Sequence, residues 1–262
     1  MRYRQQQLLG MLQRGRIGYR EASEALGVTE MTVRRAVRAL ESRKLALAVK
    51  GGAIPYPLQS DSMGSGNLGR EALKMALAEA LFRRLMPLQS LFIGTGSTAL
   101  CFAKIIALRQ KQPLTVVTNS LNVASTLFRT RCKVFLSGGE LRNESLDLVG
   151  PAAEKNLEEY HVQWLVSGCD GAWADSGFYT ADVSLSNLER KSLQIAESVA
   201  ILTDSCKFTH RALTRFARVQ DVDLLVTDNG LPDEDMGKLQ HNGVEVITIV
   251  PATASLKNLT SS

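Results

Sequence analysis

From residue 71 to residue 247 the chain alternates between two hydrophobic periods, and this alternation constrains its fold more than any other feature. Short apolar runs of strand type occur at Ser90–Ile93, Leu114–Val117, Lys133–Leu136, Gln163–Val166, Val199–Leu202, Asp223–Val226 and Val244–Ile247. Helical patterns near 71–86, 98–109, 120–129, 151–159, 186–197 and 232–241 precede and separate them. Strands this short and apolar suit burial on both faces, which a mainly parallel sheet covered by helices provides. The expected class is α/β. Ligands of such sheets bind beyond the carboxyl ends of the strands, so the loops that follow the strands are where chemistry is expected.

The first part of the chain differs in charge. The whole of 262 residues has a formal net charge of +5, yet residues 1–58 hold eleven basic and four acidic residues, a local +7. The remainder is left at −2. Such an excess at one end points to a polyanionic partner. Between the two parts, Pro55 to Gly69 is rich in Pro, Gly and Ser and reads as a linker or a surface crossing. The expected organisation is a small domain over 1–57, a linker over 58–70, a larger domain over 71–251 and a polar tail over 252–262. No apolar run reaches the ~18 residues of a membrane span, and the polar start Met1–Gln5 does not suit a signal peptide. Four cysteines stand more than 30 residues apart with no C-x-x-C pair, which argues against a zinc site or disulfide scaffold. A cytoplasmic protein with no metal, no cofactor and no membrane partner is expected.

Three helical patterns fit before residue 44. The first, about Arg4–Arg14, has Leu8, Met11 and Leu12 on one face. The second, about Tyr19–Leu26, carries Ala22, Ala25 and Leu26 and stops at Gly27, which can close a helix in the left-handed conformation. Thr29 can cap the third, over 29–42, whose apolar residues are Met31, Val33, Val37 and Leu40. This is a helix-turn-helix with 29–42 as recognition helix. The run Leu45–Val49 followed by Lys50-Gly51-Gly52 reads as a β-wing that brings Lys50 to the sugar-phosphate backbone. Candidate DNA contacts are Tyr19, Thr29, Glu30, Met31, Thr32, Arg34, Arg35, Arg38 and Lys50. The bland alternative is a three-helix bundle with solvated arginines, but the +7 charge together with G-V-T-E-M-T-V-R-R favours double-stranded DNA.

In the larger part, Leu91-Phe92-Ile93-Gly94-Thr95-Gly96-Ser97-Thr98 runs from a strand through a glycine and hydroxyl turn into a helix. Backbone amides and hydroxyls at such a turn cradle a phosphate. It is neither a Walker A loop nor G-x-G-x-x-G, because no Gly-Lys-Ser/Thr follows and Ala99 replaces the third glycine. Polar loops follow the next five strands: Thr118-Asn119-Ser120, Ser137–Glu140, Ser167–Gly171, Asp204–Phe208 and Thr227–Gly230. Together they suit a polyhydroxylated anion, with Lys207 and Arg190 as candidate cations.

These residues resemble a known family. Arg2–Gln6, the helix-turn-helix, Val33-Arg34-Arg35 and Lys50–Ala53 look like the DNA-binding end of DeoR-type bacterial transcriptional repressors. T-N-S-L-N-V-A, L-S-G-G-E-L-R, G-C-D-G-A, A-I-L-T-D-S-C-K-F and D-L-L-V-T-D are similar to its effector domain in order and spacing. The resemblance implies a winged helix-turn-helix followed by a domain related to ribose-5-phosphate isomerase and glucosamine-phosphate deaminase folds. It also implies release from operator DNA by a phosphorylated sugar. By position the effector contacts would be Gly96, Ser97, Thr98, Asn119, Ser120, Gly138, Gly139, Arg190 and Lys207. The chain departs from the family pattern at Ala36, Ala48, Gly94 and Leu185, where the family commonly has an acidic residue, an arginine, Asp and Glu respectively.

The competing class is a sugar-phosphate isomerase or deaminase with a basic appendage. It needs a general base near the reacting carbon, for which Asp170, Asp182, Glu189 and Asp204 are the candidates. His161, His210 and His241 are isolated, and G-x-S-x-G is absent. The expectation is therefore a regulator, repressing in the sense of the family, that is not an enzyme and acts as a homodimer or higher homo-oligomer on paired half-sites.

Overall fold

A computed structural model of the chain describes residues 3–12, 17–41, 46–49, 51–55 and 65–250, which fall into two units, Met1–Asn67 and Leu68–Ser262. Lys50, most of the expected linker and the tail lie outside the described residues.

The first unit consists of α1 (Tyr3–Leu12), β1 (Ile17–Gly18), α2 (Tyr19–Leu26), α3 (Glu30–Glu41), β2 (Ala46–Val49) and β3 (Gly52–Pro55). Leu8 and Leu12 of α1, Ala22 of α2, and Val33, Val37 and Leu40 of α3 close a core with Ile17, Tyr19, Ala46 and Ala53. Gly27 ends α2 in the left-handed region, and the next amide, Val28 N, donates to Ser23 O at 3.1 Å. Met31, read from the sequence as apolar-face, is 62% exposed. At ~100° per residue it points about 200° away from Val33, and Val33, Val37 and Leu40 define the buried face. The wing is an antiparallel sheet in the order β1-β3-β2. The sequence pattern revealed only β2. β1 has two residues, and β3 ends on Pro55, which reads as a breaker.

The second unit begins with α4 (Ser65–Leu85), which starts inside the segment read as linker. Its anchoring residues Leu77, Ala78, Leu81 and Leu85 lie further along. A helix secured there extends over weak helix formers at small cost per residue. Next come β4 (Ser90–Ile93), α5 (Ser97–Arg109), β5 (Leu114–Thr118), α6 (Leu121–Leu127) and β6 (Cys132–Leu136). They are followed by β7 (Glu140–Arg142), β8 (Asp147–Val149), α7 (Pro151–Leu157), β9 (Val162–Ser167), β10 (Gly171–Trp173) and β11 (Gly177–Thr180). The unit ends with α8 (Val183–Gln194), β12 (Ala196–Leu202), β13 (Thr214–Ala217), β14 (Leu224–Asp228), α9 (Asp233–His241) and β15 (Glu245–Ile249).

All seven expected strands join one parallel sheet in the order β15-β14-β12-β9-β4-β5-β6. Successive residues alternate between its faces. Leu91, Ile93, Val116, Val166, Ala200 and Val226 pack with Leu77, Phe102, Ile106 and Val123 from α4, α5 and α6. Phe92, Val117, Leu165, Ile201 and Leu225 pack with Leu157, Leu188 and Leu239 from α7, α8 and α9. Two small antiparallel elements escape the sequence pattern: the hairpin β7-β8 and the sheet β10-β11-β13. Their strands have three or four residues, and β11 pairs Phe178 with Ala217, far along the chain.

Beyond β6, Gly139 joins the sheet to the hairpin at φ 107°, and a Cβ there would come within 2.6 Å of Val149 O and 2.7 Å of Ala153 Cβ. Gly139→Ala is expected to destabilise the fold by about 1–3 kcal/mol, seen as a lower urea midpoint with an unchanged slope.

Candidate functional site

At the start of α3, Thr29 acts as the expected cap: Thr32 N donates to Thr29 Oγ1 at 3.3 Å, and the two hydroxyls are 3.0 Å apart. Thr29, Glu30 and Met31 are exposed and Thr32 is half-buried, so the first turn of the helix presents their side chains outward. Arg35 and Arg38 are exposed and form no ion pair among the described residues. Arg34 is held more firmly. Its guanidinium lies 4.2 Å from the centre of the Tyr19 ring, and Nη2 is 3.8 Å from Glu30 Oε2. Tyr19 was expected to be an outward contact. Instead it is 6% exposed and serves as the platform beneath Arg34, since the first residue of α2 also closes the core.

In the second unit the chain runs outward from β4 in two directions, through β5 and β6 on one side and β9, β12, β14 and β15 on the other. This reversal of strand order leaves a crevice beyond the carboxyl ends of β4 and β9. Gly94 lies in it: Gly94 N donates to Val166 O at 2.9 Å, and a Cβ at this position would stand 3.0 Å from Ser167 Oγ. Gly96 precedes α5 at φ 98° without a side-chain cap, unlike α6, capped by Ser120, and α8, capped by Asp182. The first amides of α5 therefore have no partner within the helix and face the crevice with the helix dipole behind them. Gly96 and Ser97 are exposed and Thr98 half-buried.

Cations surround this turn. Lys74 Nζ donates to Ser97 Oγ at 2.8 Å. Lys207, half-buried, has no ion pair or side-chain hydrogen bond among the described residues. It belongs to the short 3-10 turn Ser205–Thr209, which Asp228 anchors by accepting from Ser205 N at 2.7 Å and Ser205 Oγ at 2.8 Å. Arg70 on α4 acts electrostatically on the Cys206 thiol beside Lys207. Lys74 and Arg70 were missed by sequence reasoning. They sit one helical turn apart at the start of a helix whose sequence reads as half linker, and only the fold carries them to Ser97 and Cys206.

Other expected contacts are used differently. Asn119 is 1% exposed, with Nδ2 donating to Leu148 O at 3.3 Å, and so it fixes the hairpin β7-β8 to the sheet. Ser120 is 2% exposed, and its hydroxyl accepts from Val123 N at 3.3 Å. Gly138 packs near Asn156, whose Nδ2 donates to Ser137 O at 2.8 Å. Gly139 is the close-packed joint already described. Arg190 lies away from the phosphate turn altogether: Nε and Nη2 donate to Arg215 O at 3.2 and 2.9 Å, and Nη1 to Asn187 Oδ1 at 3.1 Å. Because α8 runs back along the sheet, Arg190 is about 10 Å from its first residue, Val183. It lines a groove with Leu193, Glu197 and Arg218, by the starting end of β12.

A second group of polar residues lies by the start of α8. Arg142 makes paired hydrogen bonds to fully buried Asp147, Nε to Oδ1 at 2.8 Å and Nη2 to Oδ2 at 2.6 Å, and reaches Asp182 Oδ2 at 2.8 Å through Nη1. Asp182 also accepts from Leu185 N at 2.7 Å. That backbone bond, with help from Arg142, lowers its carboxyl below the usual range. Asp170 Oδ2 accepts from Ala181 N at 2.8 Å and Thr180 Oγ1 at 3.2 Å. Glu189 is 8% exposed. Burial, and then the charge of Asp170, push its carboxyl well above the usual range, and neighbouring Ser167 and Arg142 only partly oppose this. Glu189 Oε2, Ser167 Oγ and Ser186 Oγ have no hydrogen-bond partner. His161, His210 and His241 are all exposed.

Two family models match the chain: the DeoR-like helix-turn-helix domain over residues 4–55 and the DeoR C terminal sensor domain over residues 70–229. The chain belongs to the DeoR family. As a member of that family it is a DNA-binding transcriptional regulator. It is 28% identical to the HTH-type transcriptional repressor CsqR of Escherichia coli K12, with 93% of this chain and 94% of the relative covered. To the HTH-type transcriptional regulator UlaR of Shigella sonnei it is also 28% identical, over 94% and 98%. Among solved structures, a DeoR family transcriptional regulator from Listeria monocytogenes matches with TM-score 0.38 and 13% identity over 72% of this chain and 87% of the other. A ribose 5-phosphate isomerase from Methanocaldococcus jannaschii matches with TM-score 0.39 and 17% identity over 53% and 54%. No helix among the described residues is long and apolar enough to cross a membrane.

Two outcomes are expected of this geometry. Arg34→Ala should weaken operator binding by about 1–3 kcal/mol if the residue reads a base, measured by fluorescence anisotropy at fixed salt; unchanged affinity would remove Arg34 from the interface. The native state holds a proton on Glu189 that the unfolded chain releases near pH ~4.3. This contribution is full below that pH and falls as pH rises toward the native value. Glu189→Gln should therefore match the parent protein in stability at pH 4 and exceed it at pH 7 in paired urea titrations.

Proposed function

We propose that this protein represses a carbohydrate catabolic operon and leaves its operator when a phosphorylated sugar binds in the crevice between β4 and β9. The uncapped start of α5, flanked by Lys74 on Ser97 and by Lys207 without an ion pair, is the observation that carries the reading. Amides, hydroxyls and the Lys74 ammonium meet there, as a phosphate requires, and we take Lys207, from the loop after β12, as the second cation. The repressor and regulator names of its relatives support the DNA-binding half of the proposal. A phosphate ester that prefers the arrangement with low operator affinity shifts the population off DNA by its differential affinity alone. Operator half-sites call for a symmetric assembly, so we take the working unit to be at least a homodimer.

The protein is read as a sensor and not an enzyme. Asp182 and Asp170, two of the carboxyls that could act as bases, are occupied with backbone amides, Arg142 and Thr180. Incubation with ribose 5-phosphate or amino-sugar phosphates should give no turnover, and measurable turnover would overturn the reading. Lys207→Ala should bind operator within about twofold of the parent, yet need at least about tenfold more sugar phosphate for half-release, the loss expected for one charge-assisted hydrogen bond. Anisotropy titrations against a panel of sugar phosphates test this, and normal release in the variant would place the phosphate elsewhere.

A further inference from the structure

The crevice has two electrical poles. Lys74 stands on the turn Gly96–Ser97, and Arg70, one helical turn before it on α4, acts with Lys207 on the Cys206 thiol. Around Glu189 the charges are mostly negative: Asp170 from the loop after β9, Asp182 at the start of α8, and Asp147 from the hairpin, opposed by Arg142. Arg142 is shared by Asp147 and Asp182, and its charge only partly offsets the acids and the burial acting on Glu189. Lys207 and Glu189 both act electrostatically on the Cys169 thiol, so both lie near the loop after β9.

The carboxylate pole contains a buried set of oxygens without partners. Ser186, 0% exposed, stands one turn before Glu189 on the same face of α8, and Ser167, 2% exposed, approaches from the end of β9. Among the described residues Glu189 Oε2, Ser186 Oγ and Ser167 Oγ have no hydrogen-bond partner within bonding geometry, although Ser167 neighbours the Glu189 carboxyl. Buried polar atoms are rarely left in that state unless something else satisfies them. A sugar hydroxyl has a single proton to donate, whereas a primary ammonium has three N–H donors and accepts nothing. Three acceptors, one of them a carboxyl, match the ammonium in number and in charge.

We infer that the effector is a phosphorylated amino sugar, with its phosphate at the Gly96–Ser97 turn and its ammonium received by Glu189, Ser167 and Ser186. The inference rests on the sugar-phosphate reading above and adds the chemistry of the other end. When the ammonium arrives, the Glu189 proton leaves to solvent and the ion pair replaces it, so charge and protons balance. Ser167 at this place also gives Gly94 a purpose, since a side chain at 94 would crowd the hydroxyl.

The test is calorimetric titration of the full chain with matched pairs: glucosamine 6-phosphate against glucose 6-phosphate, and galactosamine 6-phosphate against galactose 6-phosphate. In at least one pair the amine should bind about tenfold tighter or better, a difference of ~1.4 kcal/mol. Glu189→Gln should collapse that ratio to less than about threefold, and Ser186→Ala should reduce it too, whereas Lys207→Ala should weaken both members of a pair alike. An alcohol that binds as tightly as its amine, or a ratio that survives Glu189→Gln, overturns the inference and leaves the sugar-phosphate reading standing. Failure of every phosphate ester to bind overturns both.

Discussion

The pairing of β4 with β9 is the constraint on which the second unit depends. These strands are neighbours in the sheet although α5, β5, α6, β6, the hairpin and α7 separate them in the chain. Because the chain leaves β4 in one direction and returns on its other side, the connections on the two sides diverge beyond the carboxyl ends of these strands. Gly94 N to Val166 O closes the base of this gap. Everything proposed as ligand-binding is arranged around it: the uncapped start of α5 on one wall, the loop after β9 on the other, and the turn carrying Lys207 beside them.

The two walls differ because their charges are balanced differently. At the glycine turn Lys74 reaches Ser97, and Lys207 has no ion pair among the described residues. At the start of α8 the reverse holds, since Arg142 is shared by Asp147 and Asp182 before Glu189 is considered. Removing a carboxylate from water without a partner is costly, and neutralising it is the cheaper course. That is why the Glu189 carboxyl is pushed well above the usual range while that of Asp182, hydrogen-bonded and facing Arg142, is lowered. A site built this way distinguishes ligands by charge at each end and not by shape alone.

In the first unit, the sequence made the helix-turn-helix legible because its determinants are local. Gly27 closes α2, Thr29 caps α3, and Val33, Val37 and Leu40 set the buried face. Tyr19 was misread for a nonlocal reason: it stands fifteen positions before Arg34, the arginine it supports, and nothing in a helical pattern marks a cation over a ring. In the second unit the phosphate turn was legible as glycines and hydroxyls between a strand and a helix. Its cations were only half legible. Lys207 lies in a loop beyond a sheet strand, as its position in the sequence implies, while the direction of α8 carries Arg190 away toward the opposite edge.

The sequence by itself determined the two-part charge division, the seven parallel strands with their covering helices, and the helix-turn-helix. Each of these depends on periodicity, capping or composition within a short stretch of chain. Only the tertiary structure decided which polar residues meet. It buried Asn119 and Ser120 as framework, brought Lys74 from α4 to Ser97, and left Glu189 facing Ser167 with an oxygen unpartnered. Such meetings depend on strand order and on the desolvation that follows from it, and neither is written in the spacing of residues along the chain.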